Sequence, residues 1–242
     1  MTEAFFALFS GLPRQGPGSD ATTRRLLDLA GPLPARARAL DLGCGPGRSA
    51  LVLAKAGARV IGLDTHRPFL DHLARAAEGL DVETVHASMA APPFADRTFD
   101  LLWAESSVFV LGFDAALRTW RRLLNPGGVL VLTECEWSTE TPSLAAREFW
   151  DRHYPLRTRE ENTAAATAAG YRVEAVFPQP DSDWWDEYYG PLSARADAAV
   201  TTDPAMVAAV AAAREEIAMR RDNGHEYRYT GFVLRDSRSS GQ

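Results

Sequence analysis

Asp41-Leu42-Gly43-Cys44-Gly45-Pro46-Gly47 is the stretch on which the fold turns. Before it, Ala37 to Leu42 is a short apolar run with the length of a buried strand. After it, Arg48 to Ala56 reads as a helix that Gly57 stops. Three alternating glycines let the backbone turn tightly and meet a ligand without a Cβ in the way. The helix that follows presents unpaired N–H groups and a positive dipole end. Arg59 to Leu63 is a second strand, and it ends on Asp64, about 20 residues past the first glycine. A carboxylate there is placed to take both ribose hydroxyls of a nucleoside. Glycines that only tighten strand–helix packing, and an Asp64 that only caps the helix after Thr65-His66-Arg67-Pro68, are the plainer alternatives. The pair together favours the nucleoside.

Working outward, Pro68 to Glu78 is a helix with proline in its first turn, and Val82 to His86 and Phe99 to Ala104 are the third and fourth strands. Asp114 to Leu124 is a helix closed by Asn125-Pro126-Gly127-Gly128, and Val129 to Glu134 is the fifth strand. Short, nearly all-apolar strands alternating with helices predict a parallel sheet covered on both faces. Upstream, residues 20–30 form a helix closed by Gly31-Pro32. Downstream, Glu160 to Ala169 is a helix, Tyr171 to Phe177 a strand, and Glu226 to Leu234 the last strand. Between the last two, about residues 181–222 are a helical insertion with the cluster Trp184-Trp185-Asp186-Glu187-Tyr188-Tyr189. The tail from Ser237 to Gln242 is expected to fray. The division is residues 1–35 as N-terminal helices and flap, and 36–242 as the main domain, its core at 36–134.

Composition narrows the function. The chain has 242 residues, 46% of them hydrophobic, with 26 Lys and Arg against 32 Asp and Glu, a net charge of -6. That balance argues against a coat for phosphate backbones. Cys44 and Cys135 are too few for a disulfide framework or a zinc cluster, so no metal is expected and the cytoplasm is the natural setting. Phe5, Phe6, Leu8 and Phe9 are apolar, but Glu3 stands where a leader would be basic, and no run is long enough to span a bilayer. Lys55 is the only lysine, so Schiff-base chemistry would have to use it.

The loop also narrows the ligand. A dinucleotide fingerprint is G-x-G-x-x-G, built for a pyrophosphate. Here the spacing is Gly43-x-Gly45-x-Gly47, and Arg48 stands where the last glycine of that fingerprint belongs. The Lys-Ser/Thr pair of a phosphate loop is missing too. A small carboxylate and amine suit this turn better, and S-adenosylmethionine offers both: adenosine for Asp64, the methionine end for the loop and Asp41. S-adenosylhomocysteine would be the product.

These residues resemble the class I S-adenosylmethionine-dependent methyltransferases. Asp41 to Gly47 matches that family's first motif, and Asp64 its acidic ribose position. Pro93-Phe94-Ala95-Asp96-Arg97-Thr98-Phe99-Asp100 resembles the approach to its fourth strand, and Leu123 to Gly128 the turn before its fifth. The resemblance covers about residues 36–134 and implies a Rossmann-like, seven-stranded sheet with helices on both faces and an antiparallel last strand. Arg14-Gln15-Gly16-Pro17-Gly18-Ser19, Ala87-Ser88-Met89, Ala104-Glu105-Ser106, Phe149-Trp150 and Tyr154-Pro155 resemble marks of a bacterial small-molecule subgroup. Most of the family has an Asp after the third strand for adenine. Ser88 stands there, so a hydroxyl or the Ser88/Met89 backbone would make that contact. The resemblance further implies a flap at Arg14 to Ser19, with Arg14 or Gln15 donating to the cofactor's carboxylate and Gly18 within it; a plain linker is the alternative.

Methyl transfer from a sulfonium is an in-line displacement, and alignment alone is worth up to roughly 7–11 kcal/mol. A base is needed only when the acceptor holds its proton. Glu105, past the fourth strand, lies where open α/β sheets bind ligands, and either orients an acceptor, acts as base or helps hold the cofactor. Glu134 and Glu136 flank the same mouth, one as a pocket wall or both on the surface. His153 has a suitable intrinsic pKa for a base, although a lone histidine is often structural. Trp184, Trp185, Tyr188 and Tyr189 form an aromatic lid or pack the insertion on the sheet; Tyr227 and Tyr229 share a strand face and pack. The expected function is methyl transfer to a small-molecule acceptor, with no nucleic-acid or membrane partner and a homodimer left open. The rivals are aminopropyl transfer from the decarboxylated cofactor and a non-catalytic module that binds the nucleoside.

Overall fold

The computed structural model describes residues 3–238. The expected alternation is present: β1 (Arg38–Leu42), α3 (Arg48–Lys55), β2 (Arg59–Asp64), α4 (Arg67–Ala76), β3 (Val82–His86), β4 (Phe99–Ala104), α5 (Phe113–Arg121) and β5 (Leu124–Trp137), preceded by α1 (Glu3–Phe9) and α2 (Asp20–Leu29). After β5 come α6 (Leu144–His153), β6 (Arg157–Thr158), α7 (Arg159–Ala168) and β7 (Tyr171–Pro178). The insertion is α8 (Ser182–Trp184), a π-helical turn (Trp185–Tyr189), α9 (Gly190–Ala198) and α10 (Pro204–Asn223), and β8 (Tyr227–Asp236) closes the sheet. Strand order is β3-β2-β1-β4-β5-β8-β7, with β6 beside the end of β5. β8 runs antiparallel to both neighbours, as the last strand was expected to. The fold is α/β and Rossmann-like.

Three differences from the sequence reading have physical causes. β5 is longer than Val129 to Glu134 because β8 pairs with it as far as Trp137, and because Asn125 to Gly128 follows β4 through a bulge instead of only closing α5. α6 was not foreseen; Ser143 caps it by accepting from the Ala146 N–H. The tail does not fray where it is described: the Ser237 hydroxyl donates to the Gly170 carbonyl at 2.6 Å, and the Arg238 guanidinium donates to the Arg121 carbonyl at 2.9 Å. Residues 239–242 lie outside the described part.

Each sheet face carries its own core. Phe99, Leu102, Trp120, Leu124 and Phe232 fill the face under α5 and α7, and Leu26, Leu53, Leu73, Trp103 and Val131 the face under α2, α3 and α4. Burying each such side chain contributes roughly 1.5–3 kcal/mol. A third cluster joins α1 (Leu8, Phe9) to the insertion (Trp184, Tyr189, Ile217) and to Tyr227 of β8. It holds α1 and the insertion over the carboxyl ends of the parallel strands. No helix among the described residues is long and apolar enough to cross a membrane.

Candidate active site

The carboxyl ends of β1 and β2 are stitched together by backbone. The N–H groups of Gly43 and Cys44 both donate to the Leu63 carbonyl, at 2.8 and 3.0 Å. Asp64 takes the Gly45 N–H on one oxygen at 2.9 Å and the His66 N–H on the other at 2.8 Å, which aims the carboxylate across the loop. Gly43 lies at φ +75°, and a Cβ there would stand 2.6 Å from Met89 Cε and 2.8 Å from Ser107 Cβ. A side chain at this position is excluded, and the backbone itself forms a cleft wall. Gly47 differs. At φ +93° its missing Cβ would fall 2.2 Å from Leu73 Cδ1, so it lets α4 pack close and does not line the cleft.

That cleft runs over the strand tips, lined by Gly43, Gly45, Asp64, Thr65, Ser88 and Met89 at one end. The indole N–H of Trp120 donates to the Met89 carbonyl at 2.8 Å, and the Ser88 hydroxyl accepts from the Ala90 N–H at 3.2 Å, so both residues are held in place. Phe5 and Phe6 of α1 cover this end, with Phe6 stacked on His66 at 3.8 Å between centroids. The apolar patch at the N-terminus is therefore a cover for the cleft, a role its composition did not disclose.

Past Gly45 the cleft continues between the loop and the Arg14–Ser19 flap, where Arg14, Gln15, Gly16, Arg48 and Glu105 line it. Arg14 is buried: its Nη2 bonds Asp20 at 3.0 Å and its Nε bonds Glu187 at 3.3 Å. Arg48 joins the same two carboxylates at 2.9 and 3.1 Å. This cluster binds α2, α3 and the π turn into one body. Gln15 donates its amide to the carbonyls of Phe9 and Leu12, which leaves Oε1 on the Gly45 side. Gly18, within the flap, donates its N–H to the Asp183 carbonyl at 3.0 Å.

Glu105 does not have the surroundings of a free base. Its Oε2 accepts from Ser49 Oγ (2.5 Å), Thr23 Oγ1 (2.8 Å) and Trp103 Nε1 (2.8 Å). Oε1 is buried and has no hydrogen-bond partner, as is Oδ2 of Asp41. Burial, with Glu105 and Asp64 close by, pushes the Asp41 carboxyl well above the usual carboxylate range. Two such buried oxygens beside the glycine loop have no hydrogen-bond partner, which is costly, and with no cation paired to it among the described residues Asp41 favours its neutral form. A ligand ammonium is the donor this arrangement suits.

Beyond the flap lies a cavity of about 240 Å³, just under the roughly 300–1,000 Å³ usual for ligand pockets. Its walls are aromatic, with Phe149, Trp150, Trp184, Tyr188 and Tyr229. Trp184 and Tyr188 thus belong to a cavity, while Tyr189 is fully buried and Trp185 packs edge-on against it. Tyr229, expected only to pack, lines the cavity too; Tyr227 does pack, against Trp150 at 4.9 Å. His153 is in this wall, stacked on Phe149, and its Nδ1 meets the Phe149 carbonyl at 2.7 Å. A carbonyl only accepts, so Nδ1 carries the proton and Nε2 is the basic atom.

Glu134 and Glu136 are neither pocket wall nor surface. Glu136 is fully buried and held by Thr230 Oγ1 at 2.6 Å and Arg159 Nε at 3.2 Å. Glu134 accepts from the Tyr154 hydroxyl at 3.1 Å and the Cys135 N–H at 2.8 Å, and burial lifts its pKa to about 8. Sequence reasoning missed Ser106 as a site residue. It adopts φ +54°, a conformation rare outside glycine and frequent where sites store strain. Thr133 Oγ1 accepts from its N–H at 2.8 Å, and its own hydroxyl donates to the Pro17 carbonyl at 2.7 Å. With Gln15 it lines the nucleoside end, the flap end and the aromatic cavity alike. Its position directly after Glu105 at a strand tip was the available signal.

Comparison with known proteins agrees with this geometry. Residues 39–128 match a family model described as a methyltransferase domain. The chain is 37% identical over 145 residues to the cypemycin N-terminal methyltransferase of Streptomyces sp., covering 57% of this chain and 58% of that one. It is 30% identical over 191 residues to the demethylmenaquinone methyltransferase of Mycolicibacterium vanbaalenii, with 77% of each chain covered. Several relatives are spanned for less than half their length, 44% in two cases. Among solved structures, a methyltransferase from Thiobacillus denitrificans, in complex with S-adenosylhomocysteine, superposes with a TM-score of 0.82 at 21% identity, over 97% of this chain and 98% of that one.

Proposed function

The chain belongs to the class I S-adenosylmethionine-dependent methyltransferases, and from that premise we propose that it methylates a small-molecule acceptor held in the aromatic cavity. The observation that carries this reading is continuity: the strand-tip cleft and the aromatic cavity share Phe5, Gln15, Ser106 and Phe109 as common walls. Two ligands bound in the two spaces would meet there.

The residues fit the cofactor. Asp64 is placed for the ribose hydroxyls, with Thr65, Ser88 and Met89 around the base. Gly43, Gly45 and Gln15 serve the methionine end, where the unpartnered oxygens of Asp41 and Glu105 suit its ammonium. When bound, the cofactor supplies a methyl group on a positively charged sulfur. Arg14 is salt-bridged to Glu187 and Asp20 through Nε and Nη2 and so positions the flap, while Nη1 is the nitrogen that would donate to the cofactor's carboxylate. Gly18 and Gly47 act through packing.

The chain's contribution to the chemistry is alignment and exclusion of water. The flap, α1 and the insertion enclose the junction at Ser106. Where the acceptor holds a proton, His153 Nε2 is the base within the cavity wall, and Glu105, saturated on one oxygen, is a binding residue. The two buried thiols, Cys44 and Cys135, are unpaired, which fits the reducing cytoplasm. Incubation with S-adenosylmethionine and a metabolite panel, followed by mass spectrometry, tests this reading. Acceptor-dependent S-adenosylhomocysteine supports it; methylthioadenosine from the decarboxylated cofactor would replace it with aminopropyl transfer, and an absence of turnover with bound cofactor would leave a binding module.

A further inference from the structure

We infer that the acceptor carries a cationic group, an ammonium, that sits in the aromatic cavity against Glu216; this rests on the reading of that cavity as the acceptor site. Glu216 comes from α10 and is the single carboxylate of the cavity lining. The hydroxyls of Tyr189 and Tyr188 donate to its Oε1 at 2.7 and 3.3 Å, and among the described residues no hydrogen bond reaches Oε2. The lining contains no lysine or arginine. Arg220 stacks 4.2 Å from the Trp184 ring centre, but its charge is met by Asp181 at 2.6 Å. His153, the other titratable group with a nitrogen in the wall, has Nδ1 engaged with the Phe149 carbonyl.

The cavity therefore presents one carboxylate with an oxygen to spare, among the rings of Trp150, Trp184, Tyr188 and Tyr229. Aromatic faces attract cations through their quadrupole, most strongly when water is excluded. Burial raises the Glu216 pKa, so its charge needs a partner; a neutral acceptor would leave it His153 alone for that, and an anionic one would be repelled. A protonated nitrogen satisfies the carboxylate and the rings together. While it keeps its proton that nitrogen has no lone pair, so it anchors the molecule, and another atom of the same acceptor receives the methyl group.

The test uses two probes of nearly equal shape, choline and its uncharged carbon analogue 3,3-dimethylbutan-1-ol. Each is titrated into the full chain saturated with S-adenosylhomocysteine, with calorimetry and tryptophan fluorescence as readouts. Choline is expected to bind at least tenfold more tightly than the alcohol. Glu216→Gln should erase that preference while S-adenosylhomocysteine affinity holds. Trp150→Leu, at a partly exposed wall position, should reduce the preference severalfold, and it serves if Glu216→Gln does not fold. Equal affinity for the two probes, a preference that survives Glu216→Gln, or no binding of either probe to a protein that binds S-adenosylhomocysteine would each overturn the inference. Failure to bind S-adenosylhomocysteine at all would instead strike the methyl-transfer reading beneath it.

Discussion

The two halves of the cleft are built on different principles. The nucleoside half is framed by local sequence: one loop and one acid, tied together by the backbone N–H groups of Gly43, Cys44 and Gly45 between β1 and β2, with Ser88 and Met89 after β3 and the cover from α1 added to that frame. The aromatic half is assembled by tertiary packing from α1, the flap, α6, α8, the π turn, α10 and β8, and its lining is rich in aromatic residues. A backbone-built site tolerates few residues at each position and recognises one ligand. A side-chain-built site changes its ligand with a few substitutions while the sheet beneath stays the same. On the proposed function, one half is fixed by the cofactor and the other is free to define the acceptor.

The strongest way to break this division is Gly47→Ala. A side chain at φ +93° costs about 1–2 kcal/mol, and crowding Leu73 adds about 1–3 kcal/mol. Urea unfolding should show a stability loss of that combined order, with cofactor affinity of the folded protein nearly unchanged. A selective loss of affinity would put Gly47 back in the site. Asp64→Ala should do the converse, weakening cofactor binding tenfold or more, about 1.4 kcal/mol or above; calorimetry showing wild-type affinity would remove Asp64 from the binding half.

Glu134 sharpens the comparison from the other side, since it supports the aromatic half through Tyr154. Its pKa is raised to about 8 in the fold, so folded protein holds this proton at pH values where the unfolded chain has released it. Stability should therefore fall as pH rises from the unfolded carboxyl pKa up to about 8, and then level off. Glu134→Gln should be near neutral at pH 5 and raise Tm at pH 8.5 by more than the about 2–4 °C that ~1 kcal/mol gives in a chain of this size, because a carboxyl pKa raised to about 8 is worth several times that once the group ionises. Equal effects at both pH values would show that Glu134 is not protonated in the fold.

The legibility of the sequence follows the same line. Asp41 to Gly47, Asp64 and the strands from β1 to β4 could be read because their determinants are contiguous: a turn, a helix start and an acid at a strand end. Ser88 and Met89 could be placed because they follow β3 directly. What could not be read depends on distant chain. Glu105 lies at the tip of β4 as expected, yet Thr23, Ser49 and Trp103 fix its chemistry. Arg14 belongs to the flap, but its partner Glu187 is 173 residues away. Glu216 sits in an alanine-rich helix whose sequence carries no sign that Tyr188 and Tyr189 turn its carboxylate toward a cavity. Phe5 and Phe6 read as an apolar patch, and only packing on His66 and Phe69 makes them a cover.

Calorimetric titration of the purified chain with S-adenosylhomocysteine, run beside NAD and ATP, bears most directly on the assignment of the cleft. The account predicts saturable one-to-one binding of S-adenosylhomocysteine and no heat from the two phosphate-bearing nucleotides. Binding of NAD or ATP in its place, or no binding of S-adenosylhomocysteine, would contradict it.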